Sequence, residues 1–138
     1  MPTKREQIIQ AVMAAISGAT GASVFRSRHD ALASQELPAV VVTWTTEQPR
    51  EQFASFIDKD LQVLVSVYAA GSTQDADADA VSQSVYTAVL SSSAIQALVV
   101  DVQETGTDRE SDQAADSYVC LQTGFVMKYR HSRTNLGA

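Results

Sequence analysis

Four sets of side chains in this sequence have types and spacings that could do chemistry. Asp75, Asp77 and Asp79 alternate as the opening ligands of a calcium loop do. An EF-hand loop then needs Gly at its sixth position and a bidentate Glu at its twelfth. Here those positions hold Ala80 and Tyr86. The plainer reading is that the three aspartates open a helix and face the positive end of its dipole. Glu104, Asp108, Glu110, Asp112 and Asp116 form an acidic run. Paired carboxylates can serve as general acid and base, but no histidine or nucleophile stands close in sequence. A solvated loop, or a charged docking surface, is expected. His29 with Asp30, and the distant His131, supply too few ligands for a structural zinc site without cysteines or placed carboxylates. Cys120, between Tyr118 and Gln122, reads as a small thiol packed in a strand. Neither a glycine-rich phosphate loop nor GxSxG, HExxH or CxxC is present. The reading is therefore of a protein that is not an enzyme, with no catalytic, cofactor-binding or metal residue and no cofactor.

The elements that position these residues follow from periodicity. Thr3 and Glu6 make a capping box. Behind it Ile8, Ile9, Val12, Met13 and Ile16 fall on one helical face, and Gly18 is expected to end the helix. Residues 22–28 suit a short strand, and residues 29–38 a polar connection. The segment 39–44, AVVVTW, is apolar on both faces and belongs in the middle of a sheet. Residues 45–59 carry charges and Pro49 without a simple period, so a long loop bearing Phe53, Phe56 and Ile57 is expected. Leu61, Val63, Val65 and Val67 then alternate with polar residues as a half-buried strand. After the turn at Gly71, a second helix over about 75–91 buries Ala78, Val81, Val85, Ala88 and Val89. A serine triplet breaks it, and one short turn is expected at 94–97. Residues 98–104 are expected to form a strand with Leu98, Val100 and Val102 inward. Residues 105–115 are expected to form the acidic loop, and 117–129 a last strand long enough to protrude and offer an edge.

The order α-β-β-β-α-β-β, with two amphipathic helices, predicts an α+β fold. An antiparallel or mixed sheet of about five strands should carry both helices on one face. Residues 1–130 form a single domain in this reading, and 131–138 a C-terminal tail. The chain has 138 residues, 45% of them apolar, so a core without staples is feasible. The net charge of −6 argues against specific nucleic-acid binding or an anionic membrane surface. One cysteine rules out an intrachain disulfide and suits a reducing cytoplasm. A signal peptide and a membrane span are both unexpected.

The ordered features resemble the tail terminator proteins of long-tailed phages, the lambda-type minor tail protein U family. The match runs through Thr20–Phe25 (TGASVF), Arg28, and Glu36–Val42 (ELPAVVV). It continues through Leu61–Tyr68 (LQVLVSVY), then Asp108 with Arg109, Asp112, Leu121 and Tyr129, and covers about residues 4–130. The resemblance implies a homohexameric ring at the head-proximal end of the virion's tail, assembled in the host cytoplasm. Such a ring stops addition of the major tail tube protein and presents a surface for a head-completion or connector protein. It implies no cofactor and no catalytic residue. A cyclic ring needs two unlike patches on each copy. Arg50, Phe53, Phe56 and Ile57 of the long loop, with Tyr118 and Tyr129 of the last strand, are the candidate subunit or tube contacts. Two other readings remain: a head–tail joining or neck protein of a phage or phage-derived contractile device, and a ferredoxin-like domain that binds or transforms a small ligand.

Overall fold

The computed structural model describes residues 2–27, 36–112 and 118–138, the last two residues of the second span as backbone alone. Its elements are α1 (Lys4–Ala19), β1 (Ser23–Arg26), β2 (Ala39–Gln52), β3 (Phe56–Ala70), α2 (Gln74–Ser91), α3 (Ser93–Gln96), β4 (Asp101–Asp112) and β5 (Tyr118–Ser132). The five strands form one mixed sheet in the order β1-β2-β3-β5-β4, with only the β1–β2 pair parallel. The fold is thus the α+β arrangement expected from the pattern.

The Thr3 hydroxyl accepts the Glu6 backbone N–H and starts α1. The Glu6 carboxylate turns instead to Arg26 and Gln10, so half of the capping box forms. The helix passes Gly18 and stops at Thr20, whose N–H and hydroxyl both bond the Ile16 carbonyl. Ile8, Ile9, Val12 and Ile16 of α1, and Ala78, Val85 and Val89 of α2, pack on one face of the sheet. That face consists of Val40 and Val42, the alternating Leu61, Val63, Val65 and Val67, and Phe125, Met127 and Tyr129. Gly71, at φ +106°, makes the turn between β3 and α2 in a conformation that favours glycine.

Four expectations are corrected. Residues 45–59 are not a loop: β2 runs on to Gln52, residues 53–55 turn, and β3 begins at Phe56. Among the described residues β1 pairs only with Ala39–Val42, which leaves the rest of β2 as an edge strand. An edge strand needs no apolar face and tolerates Pro49, which sits at one of two register shifts. Residues 105–112 are likewise strand, continuing β4, with a shift between Glu104 and Gly106. Every β4 residue from Gln103 to Glu110 is exposed, which leaves no periodic signal to read. The preceding segment is not strand: β4 starts at Asp101, Val100 is 72% exposed, and Val102 is half-buried against the core. Finally, the long last strand is no edge. β5 lies between β3 and β4 and pairs with β3 from Phe56↔Ser132 to Ala70↔Tyr118.

The last residues also differ from a tail. His131 and Ser132 belong to β5, and the carbonyls of Leu136 and Gly137 accept from the Lys4 backbone N–H and the Gln7 amide.

Candidate assembly interface

The candidate residues concentrate at one end of the sheet. The β2–β3 hairpin closes with the Phe53 N–H donating to the Phe56 carbonyl at 2.9 Å. The Phe53 and Phe56 rings stack with centroids 4.5 Å apart. The β3–β5 register sets Asp58 opposite Arg130, on the sheet face away from the helices. There Arg130 donates to both Asp58 oxygens, at 2.7 and 3.2 Å, and lies 3.6 Å from the Phe56 ring centroid. Arg133 reaches across to the Phe53 carbonyl at 2.9 Å. Arg50 pairs with Asp60 at 3.0 Å. The aromatics are therefore held by cations of their own chain, outside the core cluster, with Phe53 39% exposed. Ile57 is half-buried on the other side of β3.

Beneath this tip, on the helix-bearing face, lies a second polar group. Glu47 accepts from Arg5 at 3.0 Å and the Tyr129 hydroxyl, with Lys59 at 3.5 Å. Arg5 also covers the Trp44 ring at 4.8 Å. Tyr129 is only 2% exposed, so this candidate contact residue lies inside the molecule. Burial and the neighbouring Glu47 carboxylate push its phenol well above the usual range.

Tyr118, the remaining candidate, sits at the opposite end of the sheet, half-buried and 6.0 Å from Tyr68 between ring centroids. Burial raises Tyr68 to about 12 and also pushes up the neighbouring Cys120 thiol. Cys120 is buried in β5, as expected of a packed thiol, and its raised pKa disfavours the reactive thiolate. Cys120 and His131 lie eleven residues apart on β5, hence on opposite faces and roughly 36 Å apart at about 3.3 Å per residue. They cannot act together. His29, Asp30 and Asp116 lie outside the described residues, as does Arg28. Asp75 pairs with Arg109 at 2.8 Å, and Asp77 accepts from Thr73 at 2.9 Å at the start of α2. Among the described residues, no group of three or more His, Cys, Asp or Glu is placed to hold a metal ion, and no helix is long and apolar enough to cross a membrane.

Sequence reasoning missed Asp58, Arg130 and Arg133, which order the tip. Their only signal is the strand register, because 72 residues separate Asp58 from Arg130.

The profile of the family described as phage minor tail protein U matches residues 3–129. No individually curated protein matches. Among solved structures, a chain of the "Virion of native gene transfer agent (GTA) particle" is similar over 94% of this chain and 96% of its own. Its sequence identity is 14% and its TM-score 0.57, a likeness of fold.

Proposed function

This chain belongs to the phage minor tail protein U family, and on that premise we propose that it closes the head-proximal end of the tail tube as a ring of identical copies, six in number. It is a structural protein of the phage tail, carried in the virion. In this reading the ring halts addition of tube subunits, and its other side receives the head connector.

The observation that carries the reading is the hairpin tip. Phe53, Phe56, Arg130 and Arg133 form an ordered aromatic and cationic surface that contributes nothing to the core. Aromatic residues, phenylalanine among them, and arginine are enriched at protein–protein interfaces. Purified tube protein, polymerised with and without this chain, tests the function. Electron microscopy should show tubes of limited growth, each capped at one end by a six-fold ring. Tubes that lengthen equally in its presence, with bare ends, would overturn it.

A further inference from the structure

We propose that neighbouring copies join tip to groove: the hairpin of one copy seats Phe53 in an apolar groove at the opposite end of the next. The inference rests on the ring reading above and names its subunit contact. The groove, about 450 Å³, lies between the first turns of α2 and the end of β3, beside the residues leading into β2. Leu37, Pro38, Ala69, Ala70, Ala80 and Val81 line it, with Asp77 among them. The run Asp75–Ala80 (DADADA) opens α2 without one large apolar side chain, which leaves room for an aromatic ring from elsewhere.

Three observations select a second copy's tip as the occupant. The first is distance. The tip is at the start of β3 and the groove at its end, so roughly 46 Å separates them at about 3.3 Å per residue. No copy's tip can reach its own groove, and a contact between unlike ends is the heterologous kind that closes into a ring. The second is charge. α2 contains no Lys or Arg and begins with Asp75, Asp77 and Asp79. At the tip, Arg133 bonds the Phe53 carbonyl and Arg130 stands 5.9 Å from its ring. Arg130 and Asp75 are already paired within the chain, with Asp58 and Arg109, so the charges left to meet across a contact are Arg133 at the tip and Asp77 at the groove, and these favour unlike ends over like. The third is exposure. Phe53 is exposed at the turn of a two-stranded hairpin, while the groove lining is apolar.

Two variants, each disabling one partner surface, test this. Phe53→Asp spoils the tip, and Ala80→Arg fills the groove rim while suiting a helix. Both should melt cooperatively near the wild-type temperature, and Phe53→Leu should still assemble. Native mass of concentrated protein should give rings for wild type and monomers for either variant alone. A one-to-one mixture should stop at dimers, because one good tip meets one good groove and the remaining two ends are dead. Where wild type closes only on purified tubes, either variant alone should leave the tube ends bare. Rings from Phe53→Asp or Ala80→Arg, or a mixture that assembles completely or not at all, would overturn the contact while leaving the ring reading standing. Wild type that forms rings neither in solution nor on tubes overturns both.

Discussion

Glu47 is a carboxylate whose side chain is only 9% exposed, and three groups hold it: Arg5, Lys59 and the Tyr129 hydroxyl. Losing one hydrogen bond to a buried charge costs about 1.5–3 kcal/mol. Tyr129→Phe should therefore lower the free energy of unfolding by that order, seen as a lower urea midpoint at an unchanged slope, because the ring still fills its site. Tyr129 had the sequence signature of a contact residue, since an aromatic with a polar tip looks the same whether the tip meets a partner or a buried acid. The Asp58–Arg130 pair adds a pH dependence. The bidentate guanidinium holds Asp58 below the usual carboxylate range. A folded pKa below the unfolded value of about 3.9 gives stability that is present above that value and lost as pH falls through the lower one. Wild type should thus exceed Asp58→Asn in denaturation free energy at pH 7, and the gap should narrow as pH falls below the unfolded value of about 3.9. A gap independent of pH would show that the pair contributes through packing alone.

At the scale of elements, legibility followed burial. The helix faces and the alternation Leu61–Val67 were readable because one side of each element meets the core. The outer half of β2 and nearly all of β4 were not, because edge strands exposed on both faces carry no two-residue apolar period. Each pairs with the next strand in sequence, β2 with β3 and β4 with β5, and register shifts interrupt both pairings. At the β4 bulge Gly106 adopts φ +135°, and Thr105 covers Gly124 of β5 so closely that an added Cβ there would fall on the Thr105 hydroxyl. Gly124→Ala should destabilise the sheet by about 1–3 kcal/mol, the usual cost of overpacking. Thr105→Ala in the same chain should recover most of that loss. Urea denaturation of the single and double variants measures the coupling, and simple additivity would refute the contact.

For the whole molecule, the order of elements and the family were both readable, since hydrophobic period and chain order survive in one sequence. The surfaces were not, because the ends of the sheet are assembled from residues remote in sequence: Phe53 with Arg130 and Arg133 at one end, Leu37 with Ala70 and Asp77 at the other. That separation makes the proposed head-to-tail contact open to a test within one chain. Arg133 and Asp77 sit at opposite ends of the molecule, far beyond the distance at which substitutions couple inside a fold. Arg133→Glu should weaken assembly, and so should Asp77→Lys, each by setting like charges across the contact. Carrying both should restore it, because every joint then pairs a Glu on one copy with a Lys on the next. A coupling of about 1.4 kcal/mol, read as a tenfold recovery in the association constant by sedimentation, is the expected size for a close charge pair. In the monomer the same two changes should be additive in stability, so coupling seen only in assembly must pass between copies. A double variant as weak as the sum of its parts would show that Arg133 of one copy does not meet Asp77 of the next.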